Sequence, residues 1–241
     1  MTNELLLIIT LIAEYGAVVL LYRLLGKQGL YLWTVMATIT ANIEVLLLVD
    51  AFGMEMTLGN ILFATTFLVT DIISEIFGKE DSKRAVILGI ATSVVFIFIS
   101  QSWLLYQPSP NDFASPAIAA IFSNTPRLMI ASIVVYVIVQ FFDVWLYHRW
   151  WNFTTRRYGD TERFLWLRNN GSTLVSQLLN TVLYTLFAFF GVYETGTLIS
   201  IMLSSYVIFI VTSLADTPFI YRARNIARSR KEGRWAEEPA E

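Results

Sequence analysis

The stretch FLVTDIISEIFGKE, Phe67 to Glu80, places two carboxylates in a run of residues that otherwise suits the interior of a lipid bilayer. Asp71 and Glu75 stand four residues apart, so a helix carries both on one face. A carboxylate in the hydrocarbon core costs about 2.5–3.5 kcal/mol on insertion scales. If this stretch crosses a membrane, the rest of the chain must provide partners for both acids or a polar cavity around them.

The composition indicates a membrane protein. Of the 241 residues, 56% are hydrophobic and 15% are charged, whereas soluble domains carry about 25% charged residues. The absence of cysteine excludes disulfides and thiol catalysis, and the single histidine, His148, excludes a multi-histidine metal cluster. The sequence therefore predicts no metal, no cofactor and no catalytic residue. Basic residues lie in short segments between apolar runs, which predicts a lipid partner and no nucleic acid.

Seven apolar runs are long enough to cross about 30 Å of hydrocarbon as helices. They cover residues 4–25, 30–50, 58–78, 84–106, 127–148, 171–192 and 197–221. We interpret residues 1–222 as a single membrane domain and residues 223–241 as a polar, solvated cytoplasmic tail. The first run begins with an acid, Glu4, and no small-residue cleavage site follows it, so we interpret it as a span and not as a signal peptide.

The basic residues predict the orientation of these spans. Alternate connections, together with the tail, contain all 17 lysines and arginines except Arg127. Basic residues accumulate on the cytoplasmic side of membrane proteins. The predicted fold is an all-α, multi-pass protein of the cytoplasmic (inner) membrane. It is a bundle of seven transmembrane helices, with the N-terminus outside and the C-terminus in the cytoplasm.

Polar side chains repeat with helical spacing in three of the predicted spans. In the sixth span the spacing i, i+4, i+7, i+11 joins Thr173, Gln177, Asn180 and Tyr184. The fifth span carries Gln140 and Asp143, and the third carries Phe67, Asp71 and Glu75. Three helices that each have one polar stripe can bury those stripes by facing one another. The candidate substrate-binding residues are Asn42, Phe67, Asp71, Glu75, Gln140, Asp143, Thr173, Gln177, Asn180 and Tyr184.

The same residues permit a structural interpretation. Polar side chains also hold membrane helices together, each contributing about 1 kcal/mol. Glu75 stands four residues before Lys79, the favourable order for an ion pair at the membrane surface. Two further acids have nearby arginines as alternative partners: Asp143 with Arg149, and Asp216 with Arg222.

Four stretches resemble the queuosine precursor transporter family, also called the vitamin uptake transporter family. They are FLVTDIISEIFGKEDSKRAV, VIVQFFDVWLYHR, FLWLRNNGSTLVSQLLNTVLYTLFAFFG and SLADTPFIY. The resemblance covers about residues 30–222. It implies a core of six spans, so the first predicted span is an N-terminal addition to that core.

The resemblance implies uptake of 7-deazaguanines, namely 7-cyano-7-deazaguanine and its 7-aminomethyl relative. It places family polar positions at Asn42, Asp71, Asp143, Ser172, Thr173 and Asn180. This chain departs from the family pattern at two positions. Asn180 stands where members often have an aspartate, and Phe209 stands where some have a lysine. Both departures remove a titratable group and weaken an argument for proton coupling at these positions.

The chemistry of a guanine-like base is compatible with these candidates. Its N1–H and N2–H₂ donors match a carboxylate, for which Asp71 and Glu75 are the alternatives, while Gln177 or Asn180 can donate to O6. Aromatic rings such as Phe67 and Tyr184 can stack on the base. The leading hypothesis is thus a small-molecule carrier that takes a purine-like substrate.

We weigh two other functions and a possible oligomeric state against this hypothesis. A substrate-binding subunit of an ATP-driven uptake system would use small residues on its first helix, and Ala13 and Ala17 have that spacing. An intramembrane enzyme is disfavoured because no nucleophile–base pair or metal triad is visible. Glycine and alanine faces leave a homodimer open.

Overall fold

The computed structural model describes residues 2–123 and 126–236, with the backbone alone described for 126–129. The eight helices of this part are α1 (Asn3–Leu25), α2 (Lys27–Glu44), α3 (Gly59–Ile76), α4 (Lys79–Trp103), α5 (Ser115–Phe122), α6 (Pro126–Tyr158), α7 (Leu165–Phe189) and α8 (Thr195–Arg230). Two short strands, β1 (Leu48–Ala51) and β2 (Met54–Thr57), separate α2 from α3. A 3₁₀ turn, Gly233–Trp235, follows α8.

Six helices of the described residues are long and apolar enough to cross a membrane: α1, α3, α4, α6, α7 and α8. This confirms a helical, multi-pass membrane protein. The predicted runs at 4–25, 58–78, 84–106, 127–148, 171–192 and 197–221 each fall on one of these helices. α2 is not among the six, because its 18 residues include Lys27, Gln28, Asn42 and Glu44. The seven-span count and the orientation stay predictions.

The predicted span 30–50 is wrong at its C-terminal end, residues 45–50. The helix ends at Glu44, and residues 48–57 form an antiparallel hairpin in which Val49 pairs with Met56. The hairpin turns at Phe52 and Gly53, whose φ angles of 54° and 72° are typical of a two-residue hairpin loop. The prediction failed because a short apolar run has no periodicity that separates a strand from the end of a helix.

α3 is the central helix of the bundle. It packs against α1, α2, α4, α6 and α8, and 89% of its residues are buried. A helix that is apolar on most sides is stable only when neighbours surround it. The Asp71 and Glu75 carboxylates therefore lie inside the protein, away from lipid.

The chain beyond residue 221 is ordered up to Ala236, so the predicted solvated tail is wrong for this part. α8 continues to Arg230, and the chain then reverses through Lys231 and Gly233, whose φ angles are 52° and 59°. Trp235 is only 5% exposed. A Cβ on Gly233 would overlap the carbonyl oxygen of Ile76, the last residue of α3, so glycine permits this close approach.

Candidate functional site

An open cleft lies among α2, α3, α4, α6 and α7. Its empty volume, which includes open solvent at its mouth, is about 640 Å³. The polar and aromatic residues that line it are Thr38, Asn42, Asn60, Phe63, Thr66, Ser93, Ser132, Tyr136, Asn180 and Tyr184. Its described lining contains no Asp, Glu, Lys, Arg or His.

The cleft occupies one end of the bundle. It is formed by the C-terminal halves of α2 and α7 and the N-terminal halves of α3 and α6. The β1–β2 hairpin lies at this end, because it connects α2 to α3. The start of α1 is also here: Asn3 Nδ2 donates to the Asp50 carbonyl at 2.9 Å, and the Phe52 N–H donates to Glu4 Oε1 at 3.2 Å. We call this the cleft end.

Three predicted site residues line the cleft, namely Asn42, Asn180 and Tyr184. Two others form the layer behind it. Phe67 is fully buried in the apolar cluster against which Tyr184 packs. Gln140 donates from Nε2 to Thr66 Oγ1 at 2.7 Å, which fixes a hydroxyl of the cleft wall.

Four predicted residues lie deeper in the bundle and do not line the cleft. Asp71 and Asp143 are buried, and their carboxyl groups face each other. Thr173 Oγ1 donates to Asp71 Oδ2 at 3.1 Å. Gln177 is 1% exposed, and neither polar atom of its side chain has a partner among the described residues. The polar faces of α3, α6 and α7 therefore all point into the bundle, but their residues lie at different distances from the cleft.

The tenth predicted residue, Glu75, belongs to a buried ion-pair network at the opposite end of the bundle. Arg168, itself fully buried, donates from Nη2 to both Glu75 oxygens at 2.9 and 3.2 Å. The Tyr147 hydroxyl donates to Glu75 Oε2 at 2.8 Å, and Arg234 donates to Oε1. The predicted pairing of Glu75 with Lys79 is wrong, because both of its oxygens are engaged by these donors.

The C-terminal turn closes this end of the bundle. Arg234 stacks on the ring of Trp235 at 4.3 Å, and Arg168 and Arg234 lie 4.4 and 4.7 Å from the ring of Trp151. We call Glu75, Arg168, Arg234 and Trp235 the inner seal, and this the sealed end. The sequence interpretation missed Arg168 because it started the sixth span at residue 171, whereas α7 begins at Leu165.

The loop before α7 supports the inner seal. Asp160 accepts the backbone N–H groups of Glu162 and Arg163 at 2.7 and 3.0 Å, and these bonds hold the pKa of its carboxyl below the ordinary value. Glu162, oriented by this turn, pairs with Arg228 and accepts from Trp235 Nε1. The loop and the C-terminal turn are therefore held together.

The two alternative ion pairs proposed from sequence are not formed. Asp216 accepts from Asn169 Nδ2 at 2.6 Å and not from Arg222. Asp143 faces Asp71 and Ser176 and not Arg149. Both predictions paired residues close in sequence, whereas buried acids here contact neighbouring helices.

Fold and site together define a class: a multi-pass helical membrane protein with an open, uncharged polar cleft at one end and a seal of buried charges at the other. A family model described as "Putative vitamin uptake transporter" matches residues 57–223. The chain belongs to this family, which confirms the resemblance seen in its motifs.

Two relatives have the name "Probable queuosine precursor transporter". One, from Bacillus subtilis, is 36% identical over 215 residues, which cover 89% of this chain and 92% of the relative. The other, from Haemophilus influenzae, is 28% identical over 119 residues, or 47% of this chain and 49% of the relative. No solved structure matches the chain. Transporter names for these relatives favour a carrier over an enzyme.

Proposed function

We propose that this protein imports a queuosine precursor, 7-cyano-7-deazaguanine or 7-aminomethyl-7-deazaguanine, across the cytoplasmic membrane. The observation that carries the proposal is the cleft, whose amides and aromatic rings suit a flat heterocycle. The name of the Bacillus subtilis relative supports the same substrate class.

Three asparagines from three helices provide the hydrogen-bonding groups. Asn60 and Asn180 each bring one carbonyl acceptor and one NH₂ donor to the lining of the cleft. Asn42 brings its carbonyl acceptor, because its Nδ2 donates to the Thr38 carbonyl at 2.7 Å. A guanine-like edge presents N1–H and N2–H₂ donors beside the O6 acceptor, so such amides can satisfy both kinds of group. The rings of Tyr136 and Tyr184 provide faces for stacking, at about 1–3 kcal/mol per base.

The residues behind the lining give the cleft its shape. Gln140 orients Thr66, and Gly89 on α4 leaves space for Tyr136, because a Cβ at residue 89 would overlap the Tyr136 hydroxyl. Binding sites are effective when neighbouring side chains already hold their groups in position. We therefore assign Gln140 and Gly89 positioning roles.

The closed opposite end supports transport by alternating access. A ligand in the cleft reaches the other side only if the inner seal opens. Separating Glu75 from both arginines would leave a buried charge without compensation, at about 3–5 kcal/mol. Movement of the C-terminal turn alone removes Arg234 and Trp235 but leaves Glu75 paired with Arg168, so we propose that this turn moves first.

We also propose that α2 is a seventh span and that the cleft end faces outward. The contacts of Asn3 and Glu4 with the hairpin place the end of α2 beside the start of α1. α2 must therefore run back along α1, and its 18 residues extend about 27 Å. The alternation of basic residues then puts the sealed end in the cytoplasm.

Single cysteines test this topology, because the chain contains none of its own. We expect a membrane-impermeant maleimide to label Glu55→Cys in the hairpin on intact cells. Gln28→Cys, which is exposed at the α1–α2 junction, should be labelled only after permeabilisation. Equal labelling of both variants on intact cells would contradict the crossing of α2.

Uptake by the purified protein in liposomes tests the function. We expect saturable uptake of a radiolabelled 7-deazaguanine, with competition by its relative and less by adenine. Asn180→Ala should weaken apparent affinity about tenfold, because one hydrogen bond to the ligand is worth about 0.5–1.5 kcal/mol. Asn152→Ala, an exposed asparagine outside the cleft, is the matched control and should transport normally.

The same assay distinguishes a carrier that works alone from the alternative function, a subunit of a larger uptake system. Binding without uptake by the protein alone would favour a substrate-binding subunit of an ATP-driven system. The exposed Ala13 on the outer face of α1 is available for such docking. Absence of both binding and uptake would overturn the proposed substrate class.

A further inference from the structure

A group of buried acids lies between the cleft and the inner seal. Asp71 on α3 and Asp143 on α6 are 1% and 0% exposed, and their carboxyl groups face each other. Three of their four oxygens lack a hydrogen-bond donor among the described residues, namely Asp71 Oδ1 and both oxygens of Asp143. The fourth accepts from Thr173.

Two further buried polar side chains of α7, at Ser176 and Gln177, also lack a regular hydrogen bond. Ser176 is fully buried and its hydroxyl faces the Asp143 carboxyl, although not in regular hydrogen-bond geometry. Gln177 shares the face of α7 that carries Thr173, and its Oε1 and Nε2 are equally unpartnered. Buried polar groups in proteins are almost always hydrogen-bonded, so such a concentration of free oxygens indicates a ligand. We call Asp71, Asp143, Ser176 and Gln177 the acid pocket.

The charge of the acid pocket has no counter-charge within the described part of the chain. Two carboxylates that face each other in a low-dielectric interior repel strongly. Arg168, a fully buried cation of the described residues, is paired with Glu75. Asp216, bonded to Asn169, adds another acid close to the pair. A bound cation would relieve this repulsion.

We propose that the acid pocket binds one alkali cation, with Na⁺ as the test ion. Its ligands would be the carboxylates of Asp71 and Asp143, completed by Ser176 Oγ and Gln177 Oε1. An all-oxygen ligand set suits a hard cation, and no nitrogen or sulfur ligand is needed. The described residues contain no group of three or more His, Cys, Asp or Glu side chains that could hold one metal ion together, so Asp216 is not a third ligand. A pair of carboxylates favours a monovalent ion.

The position of the acid pocket suits an ion that influences the cleft. Ser176 and Gln177 lie about one helical turn below Asn180, and Asp143 lies about two turns below Tyr136 on α6. A cation would draw α3 and α6 together, and both helices line the cleft. Coupling to substrate rests on the proposed function, whereas binding of the cation does not.

Thermal unfolding of the purified full chain in detergent tests the site without any substrate. NaCl is compared with choline chloride at constant ionic strength. We expect Na⁺ at about ten times its dissociation constant to raise Tm by about 3–6 °C. Asp71→Asn and Asp143→Asn should lose this rise, and Ser176→Ala should reduce it. Binding of radioactive sodium to the wild-type protein provides a second measurement that does not depend on the variants.

The matched control is Asp216→Asn, which removes a third buried acid that already has its own partner. It should keep the sodium-dependent rise in Tm, whatever its basal stability. Equal Tm values for the wild type in both salts would overturn the proposal, as would equal loss of the rise in Asp216→Asn. Stabilisation by acidification in place of sodium would show that the acids hold a proton and would overturn the alkali-cation assignment.

Uptake in liposomes with an inward sodium gradient then separates the two proposals. Sodium binding without uptake of a 7-deazaguanine would leave the acid pocket standing and contradict the proposed function. If uptake is equal with sodium and with choline, and sodium does not stabilise the protein, cation binding by the acid pocket is overturned. The proposed transport function would then stand.

Discussion

The two ends of this bundle use polar residues in opposite ways. At the cleft end, asparagine, threonine and tyrosine side chains line an open space, and no charged side chain of the described lining reaches it. At the sealed end, Glu75, Arg168 and Arg234 are packed with tryptophan rings, and Arg168 and Glu75 are fully buried. Charge is therefore placed where the protein closes, and neutral amides where a ligand can enter.

The difference has a physical basis. A neutral amide loses little when it exchanges water for a ligand that makes equivalent hydrogen bonds. A buried charge is tolerable only when its partners remain in place, and breaking the pair from one side costs several kcal/mol. The cleft can consequently fill and empty easily, whereas the inner seal resists opening until its partners move.

The largest expected effect comes from Arg168→Ala. It removes the fully buried partner of Glu75 and leaves only Arg234, whose side chain is 22% exposed. We expect a loss at the lower end of about 3–5 kcal/mol in stability, because the charge of Glu75 stays partly compensated, and thermal unfolding in detergent measures it. The matched control is Arg84→Ala, which removes a 72% exposed arginine paired with Asp81 and should cost about 0–1 kcal/mol. Similar losses in both variants would mean that the sealed end does not depend on its buried pair.

Gly89→Ala is expected to have the next largest effect, at the cleft end. The added Cβ displaces Tyr136 into the cleft, so the affinity for a 7-deazaguanine should fall about tenfold in the liposome assay, since overpacking costs about 1–3 kcal/mol. Gly16→Ala changes another helical glycine, with no atom within 4 Å of the added Cβ. It should bind normally, and a parallel loss there would point to a general effect of helix glycines.

The smallest expected effect is on accessibility. Ser132→Cys, in the cleft lining, should react rapidly with a maleimide, and Ser172→Cys, which is fully buried near the inner seal, should react slowly. Adding Arg234→Ala should accelerate labelling at residue 172 about fivefold, because local opening becomes easier by about 1 kcal/mol. The rate at residue 132 should not change. Acceleration at both positions would indicate general loosening and not release of the seal.

Local patterns predicted the helical elements better than their ends. The apolar period located the long helices, and α3 is buried as its two acids required. The hairpin after α2 and the ordered C-terminal turn escaped prediction for a common reason. Each is stabilised by contacts with residues far away in the chain, such as Glu4 for the hairpin and Glu75 for the turn.

The candidate site was predicted as one group, and the structure divides it into three. Helical spacing correctly put Asn180, Thr173 and Gln177 on one face, but this face runs from the cleft to the acid pocket. Spacing defines the direction of a side chain around the helix axis. It contains no information about which neighbouring helix is present at that depth.

The amino-acid sequence by itself determined that this is a multi-pass helical protein whose costly polar residues must face inward, because hydrocarbon penalises them anywhere else. Only the tertiary structure decided the partners. Glu75 is bound by an arginine 93 residues further along the chain and not by the lysine four residues away, since the packing of α6 against both α3 and α7 brings those two side chains together in the buried interior.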